Sequence, residues 1–290
     1  MAYSFRLYPL RFSFAGKVLR QGVDMVRLGI AFVLAGLLGS GADLLIRSYL
    51  NNAGSLDVVG MFNAGYMLTV VYGGLVFSAM ETDYFPRLSG VASDVKATNE
   101  TVNKQMEVSL LLLSPMLMAL MVLLPVLIPL LFSTEFLSVI AMAQVAVLSM
   151  YFKVMTLPVA YITLARRRSL AYLLLESSYF VVLVFSVAIG FHYADVYGAG
   201  VGIVVAHVFD YLMINLFAYF RYDYRCTWSL MGYAVVQLAI ACVAYWVTCN
   251  ADGIVYWMIE AALTLVSTAY SLTILYQKTR LWEALKRKFI

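Results

Sequence analysis

The chain has 290 residues, of which 63% are hydrophobic and 12% charged, with a mean hydropathy of +0.86. A soluble domain has no interior large enough to hide that apolar share, so water-soluble classes are excluded. The formal net charge of +4 and the isoelectric point near 8.8 do not point to nucleic acid, because the bases are spread over separate segments instead of gathering in one patch.

Residues 1–23 scatter Arg6, Arg11, Lys17 and Arg20, with Pro9, among Phe5, Tyr8, Phe12 and Phe14. A cleavable signal peptide needs an unbroken apolar core, which this stretch lacks, and its composition suits a segment lying on inner-leaflet head groups. Eight apolar blocks follow, at 26–46, 58–80, 107–132, 138–165, 169–191, 198–220, 228–249 and 255–277. Each is close to the about 20 residues a helix needs to cross about 30 Å of hydrocarbon. The blocks are apolar on every face and lack the period-two alternation of membrane strands, so helices are expected. The fold class is all-α, a polytopic transmembrane helical bundle of eight spans.

All of the lysines and arginines except Arg47 and Lys153 fall before or at the start of the first block, after the eighth, or between blocks two and three, four and five, and six and seven. Asp57, Glu135, Asp195 and Asp252 sit in the opposite connections. The positive-inside rule therefore places both termini in the cytoplasm. The longest inner connection, 81–106, mixes acids and bases and reads as a solvated loop; the longest outer one, 47–57, is too short for an enzyme site. Asn99-Glu100-Thr101 fits the glycosylation pattern but lies on the inner side.

Along the spans, Gly36, Gly39 and Gly41 and the run Gly198-Ala199-Gly200-Val201-Gly202 read as close helix-packing surfaces. Pro125, Pro129 and Pro158 lie inside spans and are expected to kink the third and fourth helices, with Ser114-Pro115 a further bend. Cys226, Cys242 and Cys249 show no pairing or metal spacing, so inert thiols and no metal or other cofactor are expected.

Ionisable groups at depth carry the functional reading, since each costs at least about 2.5 kcal/mol on insertion scales and needs a partner or a wet cavity. Lys153 lies mid-span in the fourth block, Asp210 mid-span in the sixth with His207 one turn away, Asp43 and Arg47 at the outer end of the first, Glu176 in the fifth and Glu260 in the eighth. Lys153 and Asp210 suit either a structural ion pair or an anion site beside a proton or cation site. Asp43 and Arg47, four apart, suit an intrahelical pair.

Asp43-Leu44-Leu45-Ile46, then Val59-Gly60-Met61-Phe62-Asn63-Ala64-Gly65, then Tyr84-Phe85-Pro86-Arg87-Leu88-Ser89 at an inner helix end resembles the second half of prokaryotic polysaccharide exporters. These are lipid-linked oligosaccharide flippases of the multidrug/oligosaccharidyl-lipid/polysaccharide superfamily, relatives of O-antigen flippases. The resemblance implies that the eight spans correspond to helices seven to fourteen, one flippase lobe plus two extra helices. It implies a cytoplasmic segment at 1–23, a six-helix lobe at 24–225, two added helices at 226–277 and a basic tail at 278–290. It further implies translocation in the bacterial inner membrane of a polyprenyl-pyrophosphate-linked oligosaccharide for cell-surface polysaccharide such as lipopolysaccharide, without bond making. Arg27, Lys153 and Arg47 would be successive anion sites; Asp210, Asp43 and His207 would serve the coupling ion. The path of such exporters runs between two lobes, so the chain is either a fragment or works with a separately encoded half. At Leu44 many relatives place an arginine, whereas here the base is Arg47. An exporter of small amphiphilic cations and a membrane enzyme of glycan assembly remain the alternatives.

Overall fold

The computed structural model describes residues 16–279; the expectations for residues 1–15 and 280–290 lie outside these. The described residues form α1 (Gly16–Ala53), α2 (Leu56–Tyr66), a π-helical turn (Met67–Val71), α3 (Tyr72–Val91), α4 (Val95–Leu131), a 3-10 turn (Thr134–Val139), α5 (Ile140–Ala165), α6 (Ser169–Tyr222), α7 (Trp228–Asn250) and α8 (Gly253–Thr279). No strand occurs among them.

Six of these helices are each long and apolar enough to cross a bilayer, and two further observations bring the crossings to eight. Helix α6 has 54 residues, which as a straight rod would measure about 81 Å, far beyond the hydrocarbon thickness. It breaks instead at Ala194 and at Asp195, which sits at φ 48°, and folds into two antiparallel arms. Tight apposition of the arms depends on the glycine run. A Cβ on Gly190 would overlap the carbonyl of Gly198, one on Gly202 would overlap that of Ser186, and one on Gly200 would come within 2.8 Å of the Met142 carbonyl on α5. Ser186 Oγ donates across the hairpin to Gly202 O at 2.9 Å. The remaining crossing is the continuous helical path of α2, the π-turn and α3.

Helix α5 is the axis of the bundle, with α2, α3, α4, α6 and α7 packed around it and most of its side chains buried. Helix α1 lies along α6, while α8 packs on α4 and α7. Tyr84 and Leu88 from the third motif are buried; the Tyr84 hydroxyl donates to Pro158 O at 2.8 Å, tying α3 to the proline-bearing turn of α5. Of the first-span glycines only Gly39 packs closely, against Phe180 at 3.1 Å, whereas a Cβ at Gly36 or Gly41 meets nothing. The packing expectation fails at those two because α1 turns them to its open side.

The inner connection at 81–106 is not a loop. Helix α3 continues to Val91 and α4 begins at Val95, its first turn capped by Asp94, whose carboxylate accepts from Lys96 N and Ala97 N. Charged residues there decorate the ends of the two helices. Asn99 and Asn103, one turn apart on α4, clamp the α6–α7 connection. Asn99 Nδ2 donates to Asp223 O and its Oδ1 accepts from Arg225 N. Asn103 Nδ2 donates to Arg225 O, and its Oδ1 accepts from Thr227 N and the Tyr224 hydroxyl. The sequon asparagine is thus a structural clamp. Asn103→Ala is expected to lower stability by about 2 kcal/mol, since it leaves buried backbone groups unpaired, measured as a drop in thermal unfolding midpoint in detergent.

Lys278 Nζ and Glu107 Oε1 lie 2.6 Å apart, with the ammonium 5.2 Å from the Tyr233 ring, joining the end of α8 to α4 and α7. Burial pulls the Lys278 amine down, but Glu107 and Tyr233 outweigh it, so it titrates above its ordinary value of 10.5. A raised amine stabilises the folded state below the unfolded value and loses that effect only as pH rises past it. Unfolding curves at pH 6 and 8 should therefore show the same contribution from this pair, and Glu107→Gln should cost under about 1 kcal/mol at this half-exposed site, less in high salt.

Candidate translocation site

Four elements bring the ionisable groups at depth together. Lys153 comes from the middle of α5, Glu176 and Tyr179 from the first arm of α6, His207 and Asp210 from the second arm, and Asp43 with Arg47 from α1. Lys153 is half-buried and within electrostatic range of Glu176, His207 and Asp210. It touches none of them: no ion pair within 4.0 Å joins Lys153 to a carboxylate among the described residues. A closed Lys153–Asp210 pair is thus not present; an ammonium and two carboxylates share one region without direct contact.

Tyr179 is the hub that sequence reasoning missed. It lies one turn after Glu176, is 9% exposed, and is in electrostatic range of Tyr66, Asp210, Glu176 and Asp43. Its hydroxyl meets His207 Nε2 at 3.3 Å. His207 Nδ1 lies 2.9 Å from Ile203 O, and a carbonyl only accepts, so the Nδ1 proton points there and Nε2 accepts from the Tyr179 hydroxyl. His207, 2% exposed, thereby has both ring nitrogens engaged and fixes the direction of the phenol. The spacing of Glu176 and Tyr179 was the available signal, hidden among 21 tyrosines.

Asp43 and Arg47 lie one turn apart on α1 and sense each other and Tyr66 electrostatically, again without an ion-pair contact; Arg47 is exposed and Asp43 half-buried. Tyr66 closes α2 where the π-turn begins, and Thr69 inside that turn donates back to Gly65 O at 2.8 Å. Wide turns of this kind often accompany functional sites. Asn63, one turn before Tyr66 and part of the second motif, has a buried Oδ1 with no partner.

Two predicted residues stand apart. Arg27 is exposed and lines a cavity at the opposite end of α1 from Arg47, beside Arg167, Arg168 and Arg221. Glu260 is fully buried on α8, one turn from Tyr256, whose hydroxyl donates to Val122 O, and so lies outside the cluster. Among the described residues no group of three or more His, Cys, Asp or Glu is placed to hold a metal, and the three cysteines are free. Burial pushes the Cys226 thiol, in the α6–α7 connection, above its ordinary range, which suits an unreactive group.

Residues 1–141 match the family model described as "Polysaccharide biosynthesis protein". No curated protein matches the chain in sequence. Among solved structures, the fold is similar to "Lipid II flippase MurJ, inward closed conformation", with a TM-score of 0.63 and 13% identity over 93% of this chain and 57% of that one. It is also similar to a multidrug resistance MATE family transporter of the MOP superfamily in an outward-facing conformation, with a TM-score of 0.52 and 16% identity over 86% of this chain and 62% of that one. The chain thus spans less than two thirds of either structure. At these identities the likeness establishes the fold alone, a bundle of long apolar helices shared with both structures.

Proposed function

We propose that the chain forms one bundle of a translocator that carries a polyprenyl-pyrophosphate-linked oligosaccharide across the bacterial inner membrane, with both termini in the cytoplasm. The observation that carries this is the convergence of Lys153, Glu176, Tyr179, His207 and Asp210 at mid-depth in a chain whose first half matches a polysaccharide-biosynthesis family. The chemistry is movement without bond making, so the site needs charge and polar contacts at successive depths and no catalytic group. Arg27 and Arg47 lie twenty residues apart on α1, about 30 Å, which is the hydrocarbon thickness. Lys153 lies between. These three are assigned to successive stages of the pyrophosphate's passage.

Charge balance supports coupling to a cation. Lys153 can neutralise one of Glu176 and Asp210 but not both, so with each carboxylate ionised the cluster lacks one positive charge. A proton or a monovalent cation at Asp210, with Asp43 nearby, would supply it, and His207 would act through Tyr179. The crossings at 24–225 are assigned to a lobe and those at 226–277 to an appended pair. A second bundle, a missing N-terminal lobe or a separately encoded half, would close the path on its other side.

One observation favours export of amphiphilic cations instead, namely the carboxylate surplus on a fold shared with a multidrug transporter. Glu260 weakens that reading by lying away from the other two acids. Binding to the purified chain in nanodiscs separates the two. A polyprenyl pyrophosphate oligosaccharide should bind and tetraphenylphosphonium should not; saturable binding of the cation alone would reverse the assignment.

A further inference from the structure

The face of α8 that packs on α4 and α7 is polar through much of its length. Glu260, Thr264, Ser267 and Ser271 follow one another along it at helical spacing, and Glu260, Ser267 and Ser271 are at most 1% exposed. The two serines are satisfied from α7: Ser267 Oγ donates to Gln237 Oε1 at 2.7 Å, and Gln237 Nε2 donates to Ser271 Oγ at 2.8 Å. On the other side of Glu260, the polar groups are committed to the backbone of α4. Pro125 lacks the amide that Met121 O would accept, and Gln144 Nε2 of α5 reaches that carbonyl at 3.4 Å. The Tyr256 hydroxyl, one turn before Glu260, donates to Val122 O at 3.0 Å.

Glu260 is left over. Both of its carboxyl oxygens are buried without a hydrogen-bond partner, and so is Thr264 Oγ1 one turn further along. No base of the surrounding helices offsets it. The nearest basic residue along α8 is Lys278, eighteen positions away or about 27 Å, and its ammonium is held by Glu107. Helix α4 has no charged residue after Glu107, and α7 offers Tyr233, Cys242, Tyr245 and Cys249 but no charge. On α5, which reaches α8 through Gln144, the one charged residue is Lys153, nine positions beyond. Among the described residues, the titratable group in electrostatic range of Glu260 is Tyr256, a phenol already donating elsewhere.

An ionised carboxylate with neither donor nor cation, inside a helix that crosses lipid, carries the full cost of desolvation. One positive charge must therefore accompany it. Hard metal cations take about six or more oxygens, whereas the free side-chain oxygens in this turn are those of Glu260 and Thr264. A proton needs one oxygen and no space.

We propose that Glu260 is a proton-binding site, a neutral carboxylic acid for as long as α8 is packed against α4 and α7, so that release of the proton is coupled to opening of that seam. The site is separate from Asp210 and Asp43 and does not depend on what the bundle transports. The test uses the full chain in nanodiscs beside Glu260→Gln, which has the shape of the protonated side chain. Infrared difference spectra at neutral pH should show the carbonyl band of a protonated carboxyl that shifts in deuterium oxide and is missing from Glu260→Gln.

Thermal unfolding reads the same proton by linkage. The folded chain keeps a proton that the unfolded chain has released above the ordinary carboxylate range, so this contribution to stability is lost as pH rises. Between about pH 6 and 9 the unfolding midpoint of the wild type should fall relative to that of Glu260→Gln, by up to about tenfold in the unfolding equilibrium per pH unit. Should Glu260→Gln fail to fold, dicyclohexylcarbodiimide, which attacks protonated carboxyls in apolar surroundings, tests the wild type alone by peptide mass spectrometry. Glu260 should be labelled at neutral pH, and sodium should not protect it. Absence of the carboxyl band, equal pH dependence of the two proteins, or an unlabelled Glu260 would overturn the proposal. Protection by sodium at constant pH would overturn it too, marking a metal-cation site.

Discussion

Lys153→Ala is expected to bring translocation to background, in a complete transporter assembled around this bundle, while leaving the protein folded and in the membrane. The side chain is half-buried and touches no carboxylate, so its removal breaks no direct ion pair and folding has little to lose. What it removes is the mid-depth positive charge in range of Glu176 and Asp210. An anionic head group would then face two acids with no cation to bridge them, and at low dielectric this unfavourable encounter is strong. The loss should be on the order of a hundredfold or more, about 3 kcal/mol, with Lys153→Arg retaining part of the activity. The check is glycan export in cells alongside size-exclusion profiles of the purified variant. Undiminished export by the alanine variant rejects a substrate role for Lys153.

The second large effect is structural. Gly190→Ala should prevent accumulation of folded protein, because its Cβ would overlap the backbone carbonyl of Gly198 and no rotamer can relieve a clash with backbone. Gly202→Ala meets the Ser186 carbonyl in the same way. Forcing these arms apart also breaks the Ser186 Oγ to Gly202 O bond and moves His207 and Asp210 away from Tyr179 and Glu176. Costs of about 3 kcal/mol or more are expected. Gly36→Ala and Gly41→Ala are the matched controls: their Cβ positions are open, so they should be neutral or stabilise by up to about 1 kcal/mol through helix propensity. Detergent-resistant melting followed by size exclusion distinguishes the two pairs. Equal tolerance at all four positions would remove the glycine run from the account of the hairpin.

How much of this was legible in the sequence differs between the membrane interior and its edges. Inside, lipid requires apolar side chains, so the eight blocks and the break between 191 and 198 stand out, and the structure makes its hairpin at Ala194 and Asp195. At the basic face, helices that project into water carry the same charged residues as loops. That is why 81–106 read as a connection although Asp94 offered a capping signal. The glycines of α1 and of the 198–202 run look alike in sequence; only the neighbouring helix decides which are packed, and that is tertiary information. For the site, charge at depth singled out Lys153, His207 and Asp210. The partner of His207 was not legible, because a tyrosine in an aromatic-rich span gives no sign of being hydrogen-bonded. The arginine cavity escaped notice for a related reason: the positive-inside rule accounts for each base by orientation, and only the fold brings Arg27 from α1 to Arg221 at the end of α6.

The most direct measurement is translocation itself. Proteoliposomes holding this bundle with a completing six-crossing bundle, and loaded with a polyprenyl pyrophosphate oligosaccharide, can be assayed by the fraction of sugar that becomes accessible to an added glycosidase. The expected result is accessibility that rises with time, depends on a proton or cation gradient, and disappears with Lys153→Ala. Sugar that stays protected at the rate of protein-free liposomes, while a hydrophobic cation crosses the same vesicles, would contradict the account.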